Sequence, residues 1–272
     1  MMEPEDGRKR WGVGILDGRV ALVTGGGRGI GVGICTLLAQ HGASVAVNYS
    51  RSAEGAQEVC DAITAAGGTA RPYKAAIDNY EESAAMVGQI LDDFGYIDIL
   101  VNNAGVASRG KTVADTDADE VERLLAIHAI GPHQLCRAVL PSMRTRERGD
   151  IVFISSVATA NNLAKGAPYN MGKAAMESLA YTLAKEERQH GIHVNIAAPG
   201  LVETDMGVRL ARSLTSNKDL EHLRSLDASS PFGRVCQPED VANVVLWFCS
   251  PGSAYVTGQR VQCDGGGAIA SY

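Results

Sequence analysis

The 272-residue sequence has no uninterrupted apolar run near the roughly 20 residues that a bilayer-spanning helix needs. Its start, Met1-Met2-Glu3-Pro4-Glu5-Asp6, lacks the basic-then-apolar order of a secretory signal. Both absences lead us to expect a cytoplasmic protein with no membrane partner. Cysteine is sparse and scattered: Cys35, Cys60, Cys136, Cys236, Cys249 and Cys263 form no CxxC pair and no ligand-like spacing with histidine. That distribution points away from a disulfide framework and a structural zinc site, and the cysteines read as small core residues; no metal is expected. A basic cluster is also missing. With a net charge of −6 and only the short Arg8-Lys9-Arg10 run, nucleic acid is not the expected partner. No internal repeat or low-complexity linker divides the chain.

What is present is alternation. Apolar, β-branched runs at Val20–Thr24, Ser44–Tyr49, Ala70–Ala75, Ile97–Asn102, Asp150–Ser155, His193–Ala197 and Gln259–Cys263 are separated by helical stretches. This predicts an α/β fold, a single-domain Rossmann-type doubly wound sheet of seven parallel strands flanked by helices. Glycines at Gln40-His41-Gly42, Ala66-Gly67-Gly68 and His190-Gly191 sit where a helix would stop before the next strand. Residues 1–16 read as an N-terminal extension and residues 17–272 as the folded domain.

Two segments carry chemistry. Thr24-Gly25-Gly26-Gly27-Arg28-Gly29-Ile30-Gly31 lies between the first strand and the first helix. Glycines there permit a tight turn and let backbone approach a pyrophosphate, while the following helix N-terminus favours negative charge. A dinucleotide is the natural ligand; a merely flexible loop fits the strand-to-helix position less well. The second segment is Tyr169-Asn170-Met171-Gly172-Lys173, with Ser156 thirteen residues before the tyrosine. On a helix, residues i and i+4 share a face, so Lys173 can sit beside the Tyr169 phenol and lower its pKa for proton transfer. Taken alone, such a pair is more often a solvated surface pair.

The glycine spacing resembles the TGxxxGxG signature of the short-chain dehydrogenase/reductase family. Asn102-Asn103-Ala104-Gly105, Ser156, Tyr169 with Lys173, Ala198-Pro199-Gly200 and Asp264-Gly265-Gly266 follow in the family's order, from about residue 16 to the C-terminus. The resemblance implies that Ser156 hydrogen-bonds the substrate oxygen, Tyr169 transfers the proton, and Lys173 lowers the tyrosine pKa and holds the nicotinamide ribose. It also implies cofactor contacts from Gly25, Arg28, Gly29, Ile30 and Gly31, from Asn48, Tyr49, Ser50 and Arg51, from Ile77 through its backbone, from Asn103, Ala104 and Gly105 beside the adenosine ribose, and from Pro199, Gly200, Val202 and Thr204 around the nicotinamide. Ala76 stands where the family often has an aspartate.

One position departs from the pattern. Family members usually carry asparagine 28 residues before the serine, in a proton relay to the lysine, and here that position is His128. A neutral imidazole can donate and accept, with an ordinary pKa near physiological pH. His128 is therefore either a retained or modified relay group or a helix-packing histidine in a less active enzyme.

No acid precedes Glu54 where an NAD-preferring site would place one, whereas Arg28 and Arg51 can bracket a 2′-phosphate. NADPH is expected over NAD, although either arginine alone reads as ordinary surface. Residues 203–232 supply Met206, Val208, Leu210, Leu214, Leu220, Leu223, Leu226 and Phe232, as for a lid over an apolar substrate or for simple packing of amphipathic helices. The resemblance implies an oxidoreductase on a ketone or secondary alcohol. A 3-oxoacyl thioester reductase is one reading and a sugar or polyol dehydrogenase another; a low-activity NADP-binding regulatory or scaffold protein is the alternative of another class. Assembly is expected as a homotetramer through the helices at Ala174–Gln189 and Asp119–Ser142.

Overall fold

The computed structural model describes residues 14–215 and 219–267. Seven strands, β1 (Val20–Val23), β2 (Ser44–Tyr49), β3 (Thr69–Lys74), β4 (Ile99–Asn102), β5 (Gly149–Ile154), β6 (Ile192–Pro199) and β7 (Arg260–Cys263), form one sheet in the order β3-β2-β1-β4-β5-β6-β7. Every pairing is parallel. The chain begins at the centre, winds outward to β3, and crosses back to β4 before winding to β7. The winding reverses between β1 and β4, and the carboxyl ends of those two strands open a crevice there.

The apolar runs are continuous because both sheet faces are covered. Ala21, Val23, Val45, Val47, Ile99 and Val101 face one layer, completed by α1 (Ile30–Gln40), α2 (Ala53–Ala65) and α9 (Pro238–Cys249) through Ile34, Val59 and Val245. Val20, Leu22, Ala46 and Leu100 face the other, completed by α3 (Tyr80–Phe94), α5 (Gly131–Met143) and α7 (Ala167–Glu187) through Ile90, Val139 and Met176. This is the two-residue alternation of a strand, with an apolar partner on each side. Two short helices, α4 (Ala118–Leu125) and α6 (Ala158–Asn161), and the longer α8 (Asp205–Thr215) lie in the connections that follow β4, β5 and β6.

Strand ends differ from the sequence reading by one or two residues, for identifiable reasons. β4 starts at Ile99 because the Ile97 N–H donates to Ser142 Oγ (3.3 Å), and the Asp98 carboxylate accepts from the Val20 N–H (2.9 Å). β6 runs on to Pro199 because it pairs there with Cys263. Gly42, Gly67 and Gly191 adopt φ of 97°, 85° and 71°, the left-handed stops expected after α1, α2 and the turn before β6. Leu16, at the inner end of the proposed extension, is wholly buried and its N–H donates to His41 O (2.8 Å). Residues 1–13 lie outside the described residues.

Buried carboxylates close the opposite end of the sheet. Asp98 accepts from Arg146 (2.7 Å), and Asp150 from Arg19 (2.8 Å) and Arg148 (2.9 Å). Charge-assisted bonds of this kind fasten the N-terminal strand ends and leave the carboxyl ends for chemistry.

Candidate active site

The glycine turn is shaped by close approach. Gly25 (φ 62°) and Gly29 (φ 55°) hold left-handed conformations, and a Cβ at Gly31 would lie 2.2 Å from Gly25 O. Only glycine fits there. Asn48, buried in β2, accepts the Gly25 N–H (3.2 Å) and donates to Ala75 O (3.0 Å), so its side chain braces the turn from behind. Asn103 Nδ2 donates to Thr24 O (2.8 Å), and Thr24 Oγ1 accepts the N–H groups of Asn103 (2.9 Å) and Ala104 (3.0 Å). The turns after β1 and β4 are thereby one unit at the switch point.

No side chain caps α1 at Gly29, leaving its first N–H groups free of a side-chain acceptor. Thr204 Oγ1 accepts the Gly207 N–H (3.0 Å) at the start of α8, and its methyl would lie 3.2 Å from a Cβ at Gly29. The uncapped N-terminus of α1 thus opens from the glycine cradle with Thr204 beside it, the electrostatics an anion such as a pyrophosphate requires. The residues present fit a dinucleotide.

Beside this cradle, Gly27 and Gly55 touch, a Cβ at Gly55 falling 2.4 Å from Gly27 O. That contact brings Arg28 and the segment Tyr49, Ser50 and Arg51 to one edge. Arg28, Ser50 and Arg51 are exposed, and neither guanidinium has an ion-pair partner among the described residues. Ile77 is buried and its carbonyl packs against Gly131, where a Cβ would lie 2.3 Å away. On the far side, Pro199 O accepts the Val157 N–H (3.1 Å), Gly200 N–H donates to Cys263 O (3.1 Å), and Val202 is buried in a bridge to Cys236.

The reacting groups meet at the ends of β5 and α7. Ser156 Oγ accepts the Ala158 N–H (3.1 Å), and the Ser156 hydroxyl lies close enough to the Tyr169 phenol to favour its ionised form. Lys173, one turn further along α7, is almost completely buried, and its Nζ donates to Ile154 O (2.6 Å) and lies 5.8 Å from the Tyr169 ring centroid. Burial pushes this ammonium down to about 7, with Glu177 pulling the other way. Burial also raises the Tyr169 phenol, opposed by the Ser156 hydroxyl. Desolvation outweighs the charge of Glu177, so burial weakens the cation that the spacing places beside the phenol.

His128 occupies a π-helical turn, Ala126–Ile130, joining α4 to α5. Such single-turn bulges re-aim one side chain. The imidazole is fully buried, packs edge-on to Tyr169 (ring centroids 5.2 Å) and bonds Val106 O through Nε2 (2.9 Å). A carbonyl only accepts, so the neutral ring carries its proton on Nε2 and leaves Nδ1 as an acceptor, which has no partner. Burial and the nearby Lys173 depress His128 to about 3, not the near-physiological value expected from sequence. The space left by the missing side chain of Gly105 is bordered by His128 Nδ1 (3.4 Å from the Cβ position) and Lys173 Nζ (3.7 Å).

In the region 203–232, Leu220 and Leu223 are buried with Ala211 and Val235, and Val208 and Leu226 pack on them, whereas Leu210 and Phe232 are exposed. Met206 is half-buried, and the Leu214 side chain lies outside the described residues. Sequence reasoning missed Glu177 and Arg260, which bond behind Ser156. Glu177 carries a signal, its position two turns after Tyr169; Arg260 carries none.

A family model described as enoyl-(acyl carrier protein) reductase matches residues 25–267. The chain is 35% identical to versicolorin reductase stcU of Emericella nidulans, covering 92% of this chain and 96% of the relative. It is 34% identical to the 3-oxoacyl-[acyl-carrier-protein] reductase FabG of Vibrio cholerae (92% and 98%). Among solved structures, levodione reductase superposes with a TM-score of 0.86 at 27% identity (94% and 100%), and NAD+-bound xylitol dehydrogenase with 0.84 at 27% (92% and 99%).

Proposed function

The chain belongs to the short-chain dehydrogenase/reductase family, an oxidoreductase family with a nicotinamide cofactor, and from that premise we propose that it reduces a ketone with NADPH. The observation that carries the reading is the convergence of Ser156, Tyr169 and Lys173 beside a glycine cradle that no Cβ could enter.

When bound, the nicotinamide supplies the hydride that reaches the carbonyl carbon. Ser156 Oγ donates to the carbonyl oxygen as negative charge develops there, and the Tyr169 hydroxyl delivers the proton. Lys173, poised near neutrality, passes a proton to the phenolate. The unpartnered Nδ1 of His128 and the Nζ of Lys173 border the same Gly105 gap, which supports a modified relay in which His128 is a neutral acceptor for a donor on the lysine side. The Arg28 and Arg51 pair supports a 2′-phosphate and hence NADPH.

The substrate read as best suited is a 3-oxoacyl thioester. The relatives named versicolorin reductase and the hydroxynaphthalene reductase-like protein of Metarhizium majus (38% identical) add fused-ring aromatic ketones to the candidates, and xylitol dehydrogenase adds polyols. Exposed Met171 and Tyr181 on α7 and Ile130 beside α5 support a homotetramer through those helices. The test is an assay of acetoacetyl thioester, a hydroxynaphthalenone and xylitol with each cofactor, run on the native protein and on Arg28→Ala/Arg51→Ala. Ketone reduction with an NADPH preference that the double variant abolishes supports the reading; polyol oxidation with NAD alone overturns it.

A further inference from the structure

Glu177 follows Tyr169 and Lys173 at successive four-residue steps of α7, so the three side chains share one face of the helix. It points not at the cradle but behind the serine. Its Oε1 accepts from Ser155 Oγ (2.5 Å), Thr159 Oγ1 (2.9 Å) and Arg260 Nε (2.9 Å). Arg260, on β7, directs Nη2 to the Ser156 carbonyl (3.1 Å) and to Thr159 Oγ1 (3.0 Å). The side chains of Arg260 and Glu177 are only 16% and 13% exposed, so water competes little for these bonds.

This network joins four elements around one residue. β5 ends at Ile154, just before Ser155 and Ser156; Thr159 lies in α6, Glu177 in α7 and Arg260 in β7. A planar guanidinium can hold a carboxylate and a carbonyl at once, which a lysine ammonium cannot do with the same fixed geometry. Ser156 itself is braced by the Ala158 N–H on its hydroxyl and by Arg260 on its carbonyl. The Ser156 main chain is thereby held from outside the cofactor site.

We propose that Glu177 and Arg260 are positioning residues for Ser156, acting through the Ser156 carbonyl and the Thr159 hydroxyl without touching substrate or cofactor. The proposal rests on the reductase reading for its kinetic consequence, but not for its structural one. A plain structural tie would cost stability and leave the chemical step alone. A positioning role lowers kcat while the glycine cradle keeps its affinity, since small misplacement of a hydrogen-bond donor costs up to about 100-fold in rate.

The experiment compares the native protein with Glu177→Gln, Arg260→Met and Arg260→Lys. Steady-state kinetics with NADPH and the responding ketone are paired with hydrogen–deuterium exchange of the peptide spanning 155–162. The expected result in Glu177→Gln and Arg260→Met is a kcat lower by about 10–100-fold with the KM for NADPH within about twofold, and faster exchange in 155–162 but not in the glycine turn. Arg260→Lys keeps the charge but not the fork; it is expected to retain thermal stability and still lose kcat, and it carries the test if Arg260→Met does not fold. Native kcat in the variants, or native exchange in 155–162, overturns the proposal. If the native protein reduces no ketone, the reductase reading fails, and exchange alone decides whether the pair holds the Ser156 segment.

Discussion

Replacing Lys173 by methionine should make the protein more stable at pH 6, by an amount that falls as pH rises and turns into a small loss at pH 10. Lysine in an unfolded chain titrates near 10.4, whereas burial holds Lys173 at about 7. Between those values the unfolded chain binds one more proton than the folded one, so stability rises with pH across that window. At about 1.36 kcal/mol per pKa unit, the buried lysine costs roughly 4–5 kcal/mol at pH 6 and under about 1 kcal/mol at pH 10. Methionine removes that cost but also the Nζ bond to Ile154 O, a loss of about 1–3 kcal/mol. The net gain at pH 6 is therefore about 2–4 kcal/mol, and the difference between variant and native protein should shrink by about 4 kcal/mol from pH 6 to pH 10. Urea unfolding at fixed protein concentration, repeated at pH 6, 8 and 10, reads this directly. A difference that stays flat with pH would refute the reasoning, because it would mean that the lysine keeps its charge in the folded protein.

Three further outcomes follow from the same geometry. Gly105→Ala would place a Cβ 2.8 Å from Cε1 of the fully buried His128, so unfolding should show a loss of about 1–3 kcal/mol from overpacking. NADPH affinity measured by fluorescence titration should fall with it. Asp150→Asn leaves Arg19 and Arg148 without their buried anion and should cost about 2–4 kcal/mol in urea unfolding, discounted because both arginines are partly solvated. His128→Asn should change kcat without removing a pH limb between 5 and 9, since burial and Lys173 keep the imidazole at about 3; loss of a native limb in that range would show that the native histidine titrates there.

The doubly wound sheet was legible because the five inner strands β1, β2, β4, β5 and β6 are buried on both faces and every helix-to-strand junction noted carries a left-handed glycine. The switch point was legible for a related reason: the turns after β1 and β4 announce themselves by glycine and asparagine that no other backbone geometry requires. Tyr169 and Lys173 were readable from helical spacing. Their electrostatics were not, because desolvation is a property of the layer above them: Gly172 lets His128 approach α7 to 3.0 Å of a would-be Cβ, sealing the lysine from water. The π turn that aims His128 leaves no mark in Ala126-Ile127-His128-Ala129-Ile130, where the residues suit an ordinary helix. Arg260 was invisible for a different reason. Its partners lie 83 and 104 positions away in sequence, and only the β6–β7 register brings them together.

The most direct test of the central claim is hydride transfer itself. NADPH carrying deuterium at the transferred position is incubated with acetoacetyl thioester or a hydroxynaphthalenone, and the product is examined by mass spectrometry for the native protein and Tyr169→Phe. The account predicts one deuterium on the new carbinol carbon with the native protein, and loss of that product in the variant while NADPH still binds. Equal product from Tyr169→Phe, or NADPH binding without any labelled carbinol from the native protein, would contradict it.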